Sequence, residues 1–359
     1  MRVFACQGCG NAVHFDNTTC LSCGRRLGYM PERFVVTALE PGDDGSLSAL
    51  ADPARGPVVP CDNARHDVCN WLLPAAEAGG LCRCCRHNRL VPDLSVAENL
   101  AAWRKLEGAR HHLFYSLMRW RLPLVDQTEA PDTGLAFDLL AEVADETGAV
   151  QPVMTGHADG VITLAIAEAD DATREARRTA LAEPYRTLLG HFRHEIAHYY
   201  WDRLVRDGGR LEECRAIFGD DRADYGAALQ RHYAEGAPAD WREHFISAYA
   251  SCHPWEDFAE TFAHYTHMVD ALETAHAYGL VVRSRIRTAS ELEAEVDFDP
   301  YVSGSIDDLV AAWVPVTVAV NSLNRSMGQP DLYPFVNTPA VVEKFGFIHD
   351  LIRRAGRRA

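Results

Sequence analysis

The sequence predicts an α+β protein in which a cysteine-rich amino-terminal module, residues 1–95, precedes a mostly helical domain with a small sheet, residues 96–359. Three observations predict it. Nine of the eleven cysteines fall before residue 90, a β-branched run occupies residues 160–166, and helix-period apolar spacing dominates from there to the carboxy terminus. A chain of 359 residues, 47% apolar and 24% charged, is long enough for two or three compact domains and is neither disordered nor fibrous. Its 35 basic and 51 acidic residues leave a net charge of −16, which repels nucleic acid and anionic membrane surfaces. No run of about 18 apolar residues occurs, and Met1-Arg2-Val3-Phe4-Ala5-Cys6-Gln7 lacks the build of an export signal. The expected location is the cytoplasm, with no nucleic-acid or membrane partner.

In a reducing compartment, clustered cysteines point to metal ligation more than to disulfides. Cys6-Gln7-Gly8-Cys9 and Cys20-Leu21-Ser22-Cys23 are two C-x-x-C pairs separated by ten residues, each followed by a glycine (Gly10, Gly24) that allows a tight knuckle turn. That spacing predicts a tetrahedral four-cysteine zinc ribbon. The second set is looser: Cys61 and Cys69, then Cys82-Arg83-Cys84-Cys85, with His66 and His87 close by. Pairing Cys82 with Cys85 restores the C-x-x-C geometry and leaves Cys61 and Cys69 as the other half of a second site, so one or two structural zinc ions are expected. Isolated Cys214 and Cys252 read as core or surface thiols. Modules this small fold largely by binding their metal. Residues 1–35 hold four arginines against two acids, but residues 1–100 hold nine against eleven, so protein contact is the expected use of the ribbons.

The remaining elements follow in order. Residues 99–122 have helical apolar spacing up to Pro123, residues 160–166 alternate as a strand, and Asp170-Asp171-Ala172-Thr173 reads as a capped helix start. A further helix of about six turns is bracketed by Glu183-Pro184 and Gly208-Gly209. Beyond it the chain is helix-dominated, with turns at Gly236-Ala237-Pro238 and Gly328-Gln329-Pro330.

The bracketed helix carries His194-Glu195-Ile196-Ala197-His198. Two histidines one helical turn apart project the same way and can reach one zinc ion. Glu195, next to the first of them, lies beside the ion without binding it, where it can accept a proton from water and pass it to a leaving amine. A third ligand is offered by Trp255-Glu256-Asp257-Phe258-Ala259-Glu260-Thr261-Phe262-Ala263-His264-Tyr265, a second aromatic-lined helix with Glu256 and Glu260 one turn apart. Spacing alone leaves these two carboxylates as alternatives. Either completes two histidines plus one glutamate and leaves one position for water, the open arrangement of a catalytic zinc. Asp202 follows His198 by one turn but lies about 12 Å along the axis from His194, so it reads as an outer partner or a solvated charge.

H-E-x-x-H on one helix with E-x-F-A-E-x-F-A on a later one resembles the gluzincin metallopeptidases, and the second segment resembles that of the anthrax lethal factor group. The resemblance implies Glu256 as zinc ligand, Glu260 as the carboxylate that orients a ligand histidine, and Tyr249, seven residues before Glu256, as the group facing the tetrahedral intermediate. Nearly the whole chain, from the cysteines through Leu188-Leu189-Gly190-His191-Phe192-Arg193-His194-Glu195 and His253-Pro254-Trp255-Glu256-Asp257 to Asn321-Ser322-Leu323-Asn324-Arg325-Ser326-Met327-Gly328, is similar to a bacterial family of zinc-binding metallopeptidases with an amino-terminal zinc ribbon. The resemblance implies a peptide or protein substrate and one catalytic zinc. It also implies that the 160–166 strand borders the cleft and pairs with extended substrate; the apolar content of that strand equally suits an interior position. The competing reading is a regulatory or interaction protein that keeps the zinc site without turnover, against which Glu195 stands as the base that turnover requires.

Overall fold

A computed structural model describes residues 2–144, 150–151, 153, 155–180, 185–285 and 290–357; the helix start expected at Glu183-Pro184 lies outside the described residues. The chain divides into two compact units, Met1–Tyr115 with Leu124–Arg177, and Ser116–Pro123 with Arg178–Ala359. The first unit runs on past residue 95 because the strand after the last cysteines pairs with strands much later in the chain.

That unit opens with a hairpin of β1 (Phe4–Ala5) and β2 (Ala12–Val13). A five-stranded antiparallel sheet follows in chain order: β3 (Leu27–Met30), β4 (Val35–Pro41), β5 (Leu47–Ala49), β6 (Pro57–Pro60) and β7 (Leu72–Pro74). Between β4 and β5, Asp44 Oδ1 accepts from the Ser46 amide at 3.0 Å, the Asx geometry that closes a tight turn. Met30, Leu39, Ala49, Val58 and Leu72 form the core of this sheet.

Next come β8 (Asn88–Leu90), α1 (Ala97–Arg119), β9 (Ala136–Leu140), a separate pair of β10 (Val143–Ala144) and β11 (Val150–Gln151), then β12 (Gly156–Ala158), β13 (Val161–Ala165) and α2 (Asp171–Ala180). Helix α1 stops three residues short of the expected Leu122, because Arg121 turns into left-handed backbone at φ 56°. Within the first unit its Phe114 packs on His87, with ring centroids 5.0 Å apart, and on Phe137 at 6.0 Å. The second sheet has the order β12-β13-β9-β8, antiparallel at β12–β13 and parallel elsewhere. Strand β13 is therefore interior. β12 pairs with Val161–Thr163 on one side and β9 with Val161–Ala165 on the other, so the sheet order gives the interior position in place of an edge that pairs with substrate.

The second unit is helical: α3 (Leu188–Tyr200), α4 (Leu211–Phe218), α5 (Tyr225–Glu235), α6 (Trp241–His244), α7 (Pro254–Ala277), a small hairpin of β14 (Val281–Val282) and β15 (Ala294–Glu295), α8 (Ile306–Ser326) and α9 (Pro339–Gly356). Helix α3 begins later than its flanking proline suggests. Thr187 is extended and its Oγ1 accepts from the Gly190 amide at 3.0 Å, so 185–187 lead into the helix instead of belonging to it. At its far end α3 continues as a π-helical turn over Trp201–Arg206 and ends at the expected double glycine, with Gly209 at φ 73°.

Helix α7 is the centre of this unit. Pro254 occupies its first turn and His253 caps it, Nδ1 accepting from the Trp255 amide at 3.1 Å. Phe262 stacks on Tyr200 of α3 at 6.0 Å, Phe258 meets Phe218 of α4 edge-on at 5.6 Å, and the Tyr265 hydroxyl lies 2.9 Å from His349 Nδ1 of α9. By length and composition α8 could cross a membrane, with a mean hydropathy of 1.3 over 18 residues. It nonetheless carries Leu309, Trp313 and Val316 as buried residues of the second unit.

Candidate metal centre and cysteine sites

Two helices of the second unit build the centre. On α3, His194 and His198 stand one turn apart, with their Nε2 atoms 3.2 Å from each other. On α7, Glu256 brings Oε2 to 2.9 Å from His194 Nε2 and Oε1 to 3.7 Å from His198 Nε2. Donors held tetrahedrally at about 2.0–2.1 Å from one zinc ion lie about 3.3 Å from one another, and the three separations here bracket that value. The imidazole nitrogens face each other and a carboxylate across a buried space, an arrangement that suits a shared cation. Glu256 is 1% exposed, and apart from His194 Nε2 its Oε2 has no hydrogen-bond donor among the described residues.

The two candidate third ligands have separate places. Glu260 Oε1 lies 2.8 Å from His194 Nδ1, on the far side of the ring from Glu256, and its Oε2 accepts from Ser247 Oγ at 2.7 Å. It thereby holds the His194 proton on Nδ1 and turns the Nε2 lone pair toward His198 and Glu256. Burial opposes charge on His194, but hydrogen bonds and charge from Glu256 and Glu260 outweigh it and hold the imidazole pKa well above its usual value. Burial likewise opposes charge on Glu256, and the two histidines outweigh it, pulling the carboxyl below its ordinary range. Asp202 is not one of the three donors: its Oδ1 accepts from Arg206 Nη1 at 2.8 Å, an i,i+4 pair along the same turn, while among the described residues His198 Nδ1 is buried without a hydrogen-bond partner.

Glu195 follows His194 on α3. It is 9% exposed, and among the described residues its carboxylate accepts no hydrogen bond. Burial raises its pKa above the normal carboxylate value. The Tyr249 ring lies 6.0 Å from that of His194. Burial first, and then the neighbouring Glu256, keep the Tyr249 phenol protonated.

Three contributors carry no local sequence signal that singles them out. Tyr225, at the first turn of α5, donates its hydroxyl to Glu256 Oε1 at 2.8 Å. Trp255 stacks on His198 with centroids 3.7 Å apart and planes at 31°. Ser247 holds Glu260. A tyrosine 31 residues before Glu256 is visible only once the chain is folded.

In the first unit the cysteines form two separate sets, Cys6, Cys9, Cys20 and Cys23, and Cys61, Cys69, Cys82 and Cys85. Sulfur pairs Cys6–Cys23, Cys9–Cys20 and Cys69–Cys82 are each 3.7 Å apart. Thiolates at about 2.3 Å from a tetrahedral zinc stand about 3.8 Å apart, whereas a disulfide spans about 2.05 Å, so both sets have the dimensions of metal sites. Gly10 and Gly24 take φ values of 76° and 72°, the left-handed knuckle that the sequence demanded. The second set is buried throughout, and backbone amides of Trp71, Cys82 and Cys85 point at the sulfurs of Cys69, Cys61 and Cys82. Cys84 stays outside it.

Cys85 also approaches Glu107 and His111 of α1. Glu107 is already engaged, Oε1 by Trp103 Nε1 at 2.9 Å and Asn88 Nδ2 at 3.0 Å, and Oε2 by Arg110 at 2.5 Å. These residues therefore surround the four-cysteine set as a buried polar collar.

No solved structure matches the chain. Relatives described as uncharacterized proteins of Mycobacterium tuberculosis (strains H37Rv and CDC 1551) and Mycobacterium bovis are 42% identical over 353 residues, spanning 98% of this chain and 95% of theirs. A zinc-ribbon domain family matches residues 3–96, the segment that contains both cysteine sets. With the family described as "Putative zinc-binding metallo-peptidase" matching residues 99–351, the chain belongs to that family of zinc-binding metallopeptidases.

Proposed function

We propose that the protein is a zinc-dependent peptidase of gluzincin type, similar in its site to the lethal factor group, with His194, His198 and Glu256 holding the catalytic ion. The observation that carries this reading is the three-donor set of zinc dimensions with an unengaged carboxylate, Glu195, adjoining it on the same helix. Zinc in such a site supplies a Lewis acid that polarises a peptide carbonyl and acidifies water.

The chain's own groups perform the rest. Glu195, its pKa raised by burial, accepts the proton of the attacking water and delivers it to the leaving amine. Tyr249, held protonated, donates its hydroxyl toward the oxygen that gains negative charge as the carbonyl becomes tetrahedral. Glu260 keeps His194 in the tautomer whose Nε2 can ligate. The two cysteine sets supply structural zinc sites that fold the amino-terminal ribbon.

The test is Glu195→Gln. Zinc content should stay at the wild-type level while peptide hydrolysis is lost; a variant that still cleaves refutes Glu195 as base. Elemental analysis of a folded His194→Ala/His198→Ala variant should show about three zincs per chain falling to about two.

A further inference from the structure

Glu256 has two oxygens, and the site treats them differently. Oε2 faces His194 Nε2 at 2.9 Å, is buried, and has no other hydrogen-bond donor among the described residues. Oε1 accepts the Tyr225 hydroxyl at 2.8 Å and stands 3.7 Å from His198 Nε2. We propose that Tyr225 is a positioning residue that occupies Oε1 and restricts Glu256 to ligation through Oε2, so that the metal keeps a coordination position for substrate. This inference rests on the peptidase reading only for the use to which the open position is put.

The local structure places Tyr225 for this task. Asp224 caps α5, its Oδ1 accepting from the Ala227 amide at 2.9 Å, so Tyr225 is the first helical residue and its direction is set by the cap. The cap of α7 is tied to the same point, because His253, whose Nδ1 accepts from Trp255, places Nε2 3.1 Å from the Ala223 carbonyl oxygen. One imidazole therefore joins the starts of both helices, one residue from the cap of α5 and three residues from Glu256. The Tyr225 ring is held between the edges of His253, at 5.3 Å, and Trp255, at 5.7 Å, both near 84°. Trp255 in turn lies on His198. Ring, cap and ligand thus form a connected set that fixes the phenol against one carboxylate oxygen.

The chemical consequence follows from ligand counting. Two imidazoles and one carboxylate oxygen leave a tetrahedral ion with one free position. A carboxylate binding through both oxygens takes that position or forces a fifth contact. Without a donor on Oε1, a buried carboxylate oxygen lacks a partner, and the metal is the strongest acceptor of its lone pair within reach. The Tyr225 hydroxyl removes that demand. The Tyr249 hydroxyl lies within hydrogen-bond reach of the Tyr225 hydroxyl, so the two phenols stand together beside the carboxylate.

Tyr225→Phe keeps the ring packing and removes only the hydroxyl. The full-length variant is loaded with cobalt(II) at the catalytic site of zinc-ribbon protein, and its visible spectrum is compared with wild type and with Tyr249→Phe. The expected result is weaker visible bands for Tyr225→Phe, the sign of a higher coordination number, with hydrolysis lowered about 10- to 100-fold and zinc retained. Tyr249→Phe should lower hydrolysis and leave the spectrum as in wild type. An unchanged spectrum for Tyr225→Phe overturns the inference, as does a change confined to Tyr249→Phe. If Tyr225→Phe fails to fold, Tyr225→Leu, which also removes the hydroxyl, must show the weaker bands or the inference falls. The spectrum is read whether or not any peptide is cleaved, so absence of activity in wild type would refute the peptidase reading and leave the assignment of Tyr225 to be judged separately.

Discussion

Replacing Lys344 by methionine should destabilise the second unit by about 3–5 kcal/mol. The chain contains only two lysines, and this one is buried, with its side chain 8% exposed. Its Nζ lies 2.6 Å from Asp257 Oδ2 on α7, donates to the His244 carbonyl at 2.7 Å, and sits over the Phe245 ring at 4.2 Å. Asp257 has no exposed side-chain surface, and burial pushes its carboxyl pKa up to about 7 even with Lys344 opposing the shift. Methionine fills nearly the same volume, so the cavity contribution is small and the cost comes from a buried carboxyl that loses its cation and must take up a proton, and from a carbonyl without its donor. Against a total stability of about 5–15 kcal/mol for a typical protein, a loss of that size is readily measured. Urea unfolding followed by circular dichroism, with zinc present throughout, gives the value. Lys344→Met/Asp257→Asn should recover most of the loss, because the double variant buries no unpaired charge. A loss below about 1 kcal/mol for the single variant, or no recovery in the double, would refute the claim that this pair is an electrostatic tie.

Three further outcomes are expected. His264 is buried and its pKa is pushed down to about 4, so the folded state keeps it neutral; its contribution is complete above the ordinary value of 6.5 and is lost as pH falls toward 4, up to about 3 kcal/mol. Urea titrations at pH 7 and pH 5 should show about 2 kcal/mol of that loss, and His264→Phe should reduce the difference. Cys82→Ser should remove about one zinc per chain and unfold the five-stranded sheet, since the second cysteine set is fully buried and its metal is part of its folding energy; elemental analysis with circular dichroism decides. Ser247→Ala takes one hydrogen bond from Glu260 and should weaken zinc binding at His194 about tenfold in a chelator competition, with the cysteine sites unaffected.

Much of the site is legible where its geometry is local. The turn of helix between His194 and His198, the knuckles at Cys6–Cys9 and Cys20–Cys23, and the capped, proline-led start of α7 all arise from spacings of a few residues. The start of α3 was less legible, because Thr187 can cap a helix as well as sit inside one, and only its extended backbone shows which it does. Likewise the alternation of residues 161–165 reveals a strand but not its neighbours, β12 and β9.

By itself the sequence determined the ligand types, their spacing within each segment, the helical character of the second half and the cysteine-dependent character of the first. Those properties depend on backbone periodicity and side-chain chemistry, which act over single turns and knuckles. Tertiary structure alone decided that Glu256 meets His194 Nε2 while Glu260 takes Nδ1, that Asp202 turns to Arg206, that Tyr225 reaches across from α5, and that Lys344 pairs with Asp257. Glu256 and Glu260 are one helical turn apart and chemically identical. Which of them faces the Nε2 side of His194 is set by how α3 and α7 pack, and that packing depends on burial summed over distant segments for which no local pattern stands as a sign.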